Sequence, residues 1–140
     1  MLRAFRQDAV KRRYADWSEL VGYCAWSANP VGRMLLRLHG EDAAGFGPAD
    51  ALCTALQILN HLQDLVKDRD RLDRVYVPEP WMALAGGEDA FFDPANGAAR
   101  RRVVDAVLDR VDTLLDTAEA LPRLVRSRRL AAESVATTAT

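Results

Sequence analysis

Helical periodicity runs through almost the whole of this 140-residue sequence. Apolar residues recur at intervals of three and four, whereas the alternating β-branched runs typical of strands are nearly absent. This pattern constrains the fold more than any other feature, because a chain without strand patterns builds its core by packing helices together. We therefore predict an all-α protein with about five helices and no internal domain boundary.

The boundaries of the predicted helices follow from caps and prolines. Asp16, with Glu19 three residues later, indicates a capping box at the start of a helix. Proline disrupts a helix interior, so a kink is expected at Asn29-Pro30. Trp17, Trp26 and Phe5 are expected in the core. The predicted helices cover residues 2–14, 17–39, 48–71, 98–120 and 123–136, and residues 72–97 form a long irregular region.

Composition excludes several classes of protein. The 19 basic and 20 acidic residues leave a formal net charge of −1, which gives no general attraction to nucleic acid. The longest apolar runs fall short of the ~20 residues that span a bilayer, and the N-terminal residues contain no apolar signal core. Cys24 and Cys53 cannot make a disulfide framework or a cysteine-based zinc site. We expect a cytoplasmic protein that does not bind nucleic acid.

A polar stripe follows the third predicted helix. At about 100° per residue, Gln57, Asn60, Asp64 and Asp68 fall on one narrow face, opposite a broad apolar side. The carboxylates of Asp64 and Asp68 project side by side, because they lie one turn apart. If they face an interior they need a counter-charge. Mg²⁺ is suited to this role, since it binds one or two carboxylates and completes its shell with water and phosphate.

The alternative interpretation of the stripe is a solvated helix face. Lys67 and Arg71 lie close enough in sequence to neutralise the two carboxylates. His61 lies at the edge of the stripe, and a single helical histidine is seldom a ligand. Spacing alone leaves both interpretations open. A second acidic series, on the fourth predicted helix, is expected to be a solvated face paired with nearby arginines: Asp105, Asp109, Asp112 and Asp116.

Taken together, several segments resemble the squalene/phytoene synthase family. The resemblance begins at RQDAVKRRYADWSELVGYCAWSANPVGRMLLRLHG and continues through ALCTALQILNHLQDLVKDRDRLDRVYVP, and RLAAES resembles a later helix of the family. The string SANPVGR, and Gln63 directly before Asp64, are most similar to the hopanoid-pathway branch of hydroxysqualene or squalene synthases. Relatives that condense two substrates head to head usually carry arginine at the position of Gln63.

The resemblance implies an isoprenoid-synthase-type helical bundle with specific catalytic residues. Asp64 and Asp68 match an aspartate-rich motif that holds Mg²⁺ against the substrate diphosphate. Gln57 and Asn60 match polar residues that line the same pocket. Tyr23 matches a tyrosine near the reacting carbocation, which an aromatic face can stabilise. Tyr23, Gln57 and Asn60 are therefore expected to be catalytic.

The resemblance also implies which residues bind the substrate. Arg74 and Tyr76 match the family's exit motif, which borders the diphosphate end of the pocket. Gln63 is expected to bind substrate beside them. Asp73 stands where the family usually has glycine.

The implied chemistry is the Mg²⁺-assisted ionisation of a prenyl diphosphate. The substrate would be presqualene diphosphate or farnesyl diphosphate, and the product hydroxysqualene or squalene. An apolar cavity would protect the carbocation until it rearranges and is captured by water. The aromatic side chains of Trp81, Phe91 and Phe92 are expected to anchor the irregular region, and lining a prenyl cavity is the alternative. A lipid product would also imply peripheral contact with a membrane.

The family's first aspartate-rich motif has no counterpart in this sequence, where Asp8 and Asp16 lie eight residues apart on different predicted elements. We therefore expect residues 1–140 to be the central portion of a synthase domain, without that motif and without the last helices. Self-association or a completing subunit is expected, and the 140 residues alone should show little or no turnover. The alternative is a non-catalytic or split-subunit helical interaction module derived from the same fold.

Overall fold

The computed structural model describes residues 2–138, which are largely helical and contain no strand. Met1, Ala139 and Thr140, which the expected domain includes, lie outside the described residues. The α-helical segments are α1 (Leu2–Val10), α2 (Trp17–Ser27), α3 (Asn29–Leu38), α4 (Phe46–Gln63), α5 (Leu65–Leu72), α6 (Glu79–Ala83), α7 (Glu88–Phe92), α8 (Gly97–Ala118), α9 (Leu121–Leu124) and α10 (Arg128–Thr138). The all-α prediction is confirmed. The expected number of about five helices is too low, because turns divide some of the predicted helices and because the short α6 and α7 lie in the region predicted to be irregular.

Helix α4 is the centre of the bundle and packs along α8. One buried cluster joins α4 to α2 and α8 through side chains such as Leu20, Ile58, Val103 and Val107. A second cluster joins it to α3, α9 and α10, with Leu36, Leu52, Leu121 and Leu130 at its core. Burial of these side chains is the main source of stability, at about 1.5–3 kcal/mol for each large one. Among residues 2–138, no helix is both long and apolar enough to cross a membrane.

The first helix is shorter than predicted. It ends at Val10 rather than at residue 14, and residues 11–16 run as an extended connector. The N–H of Val75 donates to the carbonyl of Arg12 at 3.0 Å, and the N–H of Glu79 donates to the carbonyl of Tyr14 at 2.9 Å. These bonds replace helical ones and bury the ring of Tyr14. The connector and residues 74–79 therefore lie side by side.

Two predicted helices are each divided in the structure. Ala28 separates α2 from α3, and Pro30 stands in the first turn of α3, where its missing N–H costs little. Asp64 separates α4 from α5, although the helical hydrogen bonds continue past it. The N–H of Asp64 donates to the carbonyl of Asn60 at 3.0 Å, and the N–H of Asp68 donates to the carbonyl of Asp64 at 2.7 Å. Asp64 and Asp68 consequently remain one turn apart.

A buried carboxylate determines where the last helix begins. Glu41 accepts hydrogen bonds from the backbone N–H groups of Arg126 at 2.7 Å and Ser127 at 2.8 Å. The bond from Arg126 is the largest of the causes that hold the pKa of Glu41 below its ordinary value. The segment predicted as one helix over 123–136 is therefore split, with α9 ending before this turn and α10 beginning at Arg128.

The aromatic residues divide into buried and exposed groups. Phe91 and Phe92 are buried, and Trp81 stacks on Trp17 with ring centroids 5.3 Å apart, so the irregular region is anchored as expected. In contrast, Phe5 is 65% exposed and Trp26 is 44% exposed. The prediction that both lie in the core is wrong, because no further helix packs over α1 and the outer side of α2 among the described residues.

Helices α3 and α4 approach each other closely at Gly32. Thr54 Oγ1 donates to Asn29 Oδ1 at 3.0 Å, and Arg33 pairs with Asp50. A Cβ atom at Gly32 would lie 2.6 Å from the Sγ of Cys53. The glycine of the SANPVGR string therefore serves helix packing.

We predict that Gly32→Ala lowers the free energy of unfolding by about 1–3 kcal/mol, because the added methyl group overpacks the contact with Cys53. In a Cys53→Ala background the same change should be neutral or stabilising by about 0.5–1 kcal/mol. Gly22→Ala is the matched control, since a Cβ there meets nothing within 4 Å. Urea unfolding gives the free energy of unfolding of all four variants: Gly32→Ala, Cys53→Ala, the double variant and Gly22→Ala. Equal effects of Gly32→Ala in both backgrounds would contradict the assigned contact.

Candidate functional site

The polar stripe ends in two carboxylates at the junction of α4 and α5. The side chain of Asp64 is 48% exposed, and its Oδ1 lies 3.1 Å from the Nζ of Lys67. Burial, followed by the negative charge of Asp64, raises the pKa of Asp68 above its ordinary value. Lys67 therefore neutralises the pair in part, as the solvated-face interpretation expected. Among the described residues, Arg71 makes no ion pair with either carboxylate.

An aromatic cluster lies beside the stripe and joins three parts of the chain. Tyr14 from the connector, Tyr23 from α2 and Tyr76 from the segment after α5 have ring centroids 5.5–5.8 Å apart. The imidazole of His61 stacks on Tyr76 with centroids 3.4 Å apart and planes at 9°. Burial is the largest cause of the raised pKa of each of the three tyrosines. All three therefore keep neutral hydroxyl groups at ordinary pH.

His61 orients one residue of the stripe. The Nε2 of Gln57 lies 3.1 Å from the Nε2 of His61. An amide nitrogen can only donate, so His61 Nε2 is the acceptor and the imidazole carries its proton on Nδ1. Burial, followed by the positive charge of Arg74, lowers the pKa of His61 from 6.5 to about 4. The imidazole is thus neutral at physiological pH, which this hydrogen bond requires.

Arg74 connects the aromatic cluster to α1 and to the main chain of α5. Its Nη2 donates to the carbonyl oxygen of Asp8 at 2.6 Å, and its Nη1 lies 3.4 Å from the hydroxyl of Tyr76. Its backbone N–H donates to the carbonyl of Asp68 at 3.1 Å. The buried Nε has no hydrogen-bond partner among the described residues. The positive charge of Arg74 acts to lower the pKa of Asp68, so the guanidinium lies near that carboxylate. A cationic group near two carboxylates is suited to binding an anion together with a cation.

A small cavity of about 210 Å³ lies where α1, α2 and α4 meet. Its polar lining comes from Asp8, Tyr23, Ser27 and Gln57, and Ala4 and Phe5 complete it. Asp8 Oδ1 and Ser27 Oγ are buried and have no partner within the described part of the chain. Buried polar atoms are usually paired with protein groups or with water. This cavity is therefore equipped to hold a small polar molecule.

The structure brings some of the predicted site residues together and leaves others apart. Tyr23 and Gln57 line the same cavity, and Arg74 contacts Tyr76. Asn60 and Gln63 are exposed, and neither side chain makes a hydrogen bond to the rest of the described chain. The roles expected for these residues stay predictions.

Three residues at the site were not predicted from the sequence. Periodicity and the family resemblance assign no role at the site to Asp8, Ser27 or His61, although Ser27 belongs to the SANPVGR string. Asp8 joins the site because the connector at 11–16 turns α1 back onto α2 and α4, and local spacing does not indicate such a tertiary contact. His61 differs, since it lies one helical turn after Gln57.

Asp73 shows how the glycine of the related motif can be replaced. It is the only non-glycine residue of the described chain with a positive φ, at 48°. Aspartate tolerates this left-handed conformation better than most residues. Arg13 holds it in place, with Nη2 donating to Asp73 Oδ1 at 2.8 Å and Nη1 donating to the Asp73 carbonyl at 2.7 Å. The turn that leads into Arg74 is therefore maintained.

An apolar groove of about 240 Å³ lies between α3, α4 and α10. Leu56 and Cys53 line it from α4, one and two turns before Asn60. Val31 and Leu35 line it from α3, and both are partly exposed. The open side of α4 therefore changes from polar near Asp64 to apolar near Cys53.

Within residues 2–138, no three His, Cys, Asp or Glu side chains are grouped so that they could hold a metal ion by themselves. The oxygen donors that the chain does offer are the paired carboxylates of Asp64 and Asp68. A hard cation such as Mg²⁺ binds through one or two protein carboxylates and takes its other ligands from water and phosphate. The residues present therefore fit a shared site in which the substrate supplies part of the shell.

Comparison with known proteins gives consistent matches. The family model described as squalene/phytoene synthase matches residues 1–139. A hydroxysqualene synthase of Sinorhizobium fredii is 38% identical over 131 residues, which are 93% of this chain and 45% of that protein. A hydroxysqualene synthase of Rhodopseudomonas palustris is 50% identical over 88 residues, which are 63% of this chain and 30% of that protein.

A solved structure gives the same result for the fold. The crystal structure of squalene synthase HpnC from Alicyclobacillus acidocaldarius matches with a TM-score of 0.80 and 33% identity. The match covers 98% of this chain and 52% of that one. The chain therefore spans about half the length of the proteins that it matches.

We predict a pH dependence of stability that arises from His61. In the unfolded chain an ordinary histidine binds a proton below about pH 6.5, whereas the folded site resists protonation until about pH 4. The stabilising contribution is therefore complete above pH 6.5 and is lost as the pH falls towards 4. Relative to His61→Phe, which keeps the stacked ring, the wild-type free energy of unfolding should fall by about 1–3 kcal/mol over this range.

Urea unfolding at several pH values between 7 and 4 makes the comparison. His39→Phe is the matched control, because His39 is exposed. The free energy of unfolding of this control should change with pH as that of the wild type does. A difference in the free energy of unfolding between wild type and His61→Phe that stays constant with pH would contradict the buried, neutral imidazole.

Proposed function

Because this chain belongs to the squalene/phytoene synthase family, we propose that it binds a prenyl diphosphate and takes part in its Mg²⁺-assisted ionisation. The substrate that we favour is presqualene diphosphate, with farnesyl diphosphate as the other candidate, and the products are hydroxysqualene or squalene. The names of the relatives and the hydroxysqualene-type Gln63 support this choice. We further propose that these residues form the central portion of a larger synthase domain.

One observation carries the proposal: the paired carboxylates lie near Arg74, whose positive charge acts to lower the pKa of Asp68. Asp68 is joined to Arg74 by a backbone hydrogen bond of 3.1 Å. Arg74 Nε is buried without a partner among the described residues. A diphosphate could therefore meet both positive and metal-binding groups at one end of α4. A solvated helix face would not require this arrangement.

Mg²⁺ would be held by Asp64 and Asp68. The raised pKa of Asp68 indicates that the second negative charge is costly there, and a bound cation would relieve that cost. When bound, Mg²⁺ would neutralise the charge that develops on the departing diphosphate. Lys67 would then exchange its contact with Asp64 for solvent or for a phosphate oxygen.

The remaining residues of the site would bind the two ends of the substrate. Arg74 and Tyr76 would hold the diphosphate end, with Gln63 at the exposed edge. The ring of Tyr23 would stabilise positive charge, while Gln57 and Asn60 would orient polar atoms along the stripe. The hydrocarbon chain would follow the apolar groove past Leu56.

We predict that Mg²⁺ with inorganic pyrophosphate raises the melting temperature of the chain, since a ligand that binds only the folded state stabilises it. At a ligand concentration about 100-fold above Kd the gain is about 2.7 kcal/mol, or several degrees for a protein of this size. The Asp64→Asn/Asp68→Asn variant should lose the shift. Differential scanning fluorimetry with Mg²⁺ alone, pyrophosphate alone and both together measures it.

The matched control is Asp105→Asn/Asp109→Asn, which removes two exposed carboxylates at the same spacing on α8. It should retain the full shift. A shift of the same size in Asp64→Asn/Asp68→Asn would show that binding does not use the stripe. No shift in the wild type would leave the stripe as a polar helix face and favour the second candidate function.

That second candidate is a non-catalytic or split-subunit interaction module, and the exposed apolar residues favour it. Leu2 and Phe5 on α1 and Met34 and Leu38 on α3 are between 55% and 79% exposed. A groove of about 590 Å³ beside Trp26 adjoins the α3 residues. Large exposed apolar patches usually mark interaction surfaces. Self-association or a completing subunit would cover them in either candidate function.

We predict that the purified chain self-associates at high micromolar concentration and that Leu38→Glu weakens the association by about tenfold, which corresponds to about 1.4 kcal/mol. His39→Glu adds a negative charge at the neighbouring exposed position and should have little effect. Sedimentation equilibrium gives both association constants. A wild-type chain that stays monomeric would contradict the role of this surface in self-association.

A further inference from the structure

We propose that the cavity between α1, α2 and α4 holds the water molecule that captures the carbocation, and that Asp8 accepts its proton. The inference rests on the proposed function and names further residues of the same site. The matched relatives are named hydroxysqualene synthases, and a hydroxylated product requires an oxygen nucleophile. The chain must therefore provide a place for one water inside an otherwise apolar surrounding.

The cavity has room for several water molecules, and its polar lining fits an ordered one among them. Its volume is about 210 Å³, and its polar atoms come from three different helices. Asp8 Oδ1 and Ser27 Oγ are buried and unpaired within the described chain. A water between them would accept from the serine hydroxyl and donate to the carboxylate. An ordered water usually makes about three hydrogen bonds, and Gln57 lines the same cavity to supply another.

The position of the cavity places the water beside the reacting part of the substrate. Tyr23 and Gln57 belong both to this cavity and to the polar site, so the two spaces share a wall. The main-chain oxygen of Asp8 accepts a 2.6 Å hydrogen bond from Arg74. This bond fixes the turn of α1 that carries the carboxylate. Arg74 and Ser27 are thus positioning residues, and Asp8 is the residue that reacts.

The step balances without a further reactant. The diphosphate leaves with the electron pair of its C–O bond, and a carbocation remains. A lone pair of the water oxygen forms the new C–O bond, and one O–H proton passes to Asp8 Oδ1. Asp8 becomes a carboxylic acid and returns the proton to solvent. General-base assistance of this kind typically contributes a factor of 10²–10⁴ to a rate.

The test measures two quantities in the intact protein that contains these residues: diphosphate release from presqualene diphosphate, and the ratio of alcohol to hydrocarbon products. We expect Asp8→Asn to lower the ratio by about tenfold or more while release continues. Ser27→Ala should lower it by a smaller factor. Asp105→Asn, an exposed carboxylate on α8, should leave it unchanged. An unchanged ratio in Asp8→Asn would overturn the inference.

A structural measurement separates this inference from the proposed function. Absence of diphosphate release by the wild type would count against the proposed function alone. A high-resolution crystal structure then shows whether the cavity holds water. We expect a water within hydrogen-bond distance of both Asp8 Oδ1 and Ser27 Oγ. The water should be lost or displaced in Asp8→Asn/Ser27→Ala. A dry or collapsed cavity in the wild type would contradict the proposal.

Discussion

The stacking of His61 on Tyr76 is the contact on which the arrangement of the site depends. The two rings lie 3.4 Å apart and join α4 to the segment that leaves α5. Tyr14 and Tyr23 pack on the same cluster and add the connector and α2. Aromatic pairs of this kind contribute about 0.5–1.5 kcal/mol each beyond their burial. Through them, four distant stretches of sequence come to one end of the central helix.

This cluster also sets the electrostatics of the site. It buries His61 next to Arg74, so the imidazole stays neutral and accepts a hydrogen bond from Gln57. It holds Arg74 close to α1 and to Asp68, where one guanidinium nitrogen remains unpaired among the described residues. The carboxylates of Asp64 and Asp68 lie at the edge of this positive group. The fold therefore places groups for a cation, on α4 and α5, near a group for an anion in the segment after α5.

The sequence predicts much of the architecture because helical periodicity is a local property. The long α8 and the spacing of Asp64 and Asp68 both follow from residues a few positions apart. The helix ends are less predictable, since they depend on distant partners. Glu41 determines the start of α10, and the pairing of residues 11–16 with 74–79 ends α1 early.

The same reasoning explains which parts of the site could be predicted. The polar stripe lies on one helix, so its periodicity reveals it, and the resemblance to a family adds Tyr23, Arg74 and Tyr76. Asp8 and Ser27 reach the site only through tertiary contacts, so helical periodicity does not assign them to it. Phe5 and Trp26 are large apolar residues, but Phe5 is 65% exposed, and Trp26 is 44% exposed with the guanidinium of Arg3 over its ring.

The most direct test of the account is isothermal titration calorimetry of inorganic pyrophosphate with the purified chain, in Mg²⁺ and in EDTA. The account predicts binding that requires Mg²⁺ and that weakens by at least about tenfold in Arg74→Gln, because the guanidinium and the carboxylates act on one diphosphate. Arg71→Gln, on the exposed side of α5, should bind as the wild type does. Binding that is equal in EDTA and Mg²⁺, or insensitive to Arg74→Gln, would contradict the central claim.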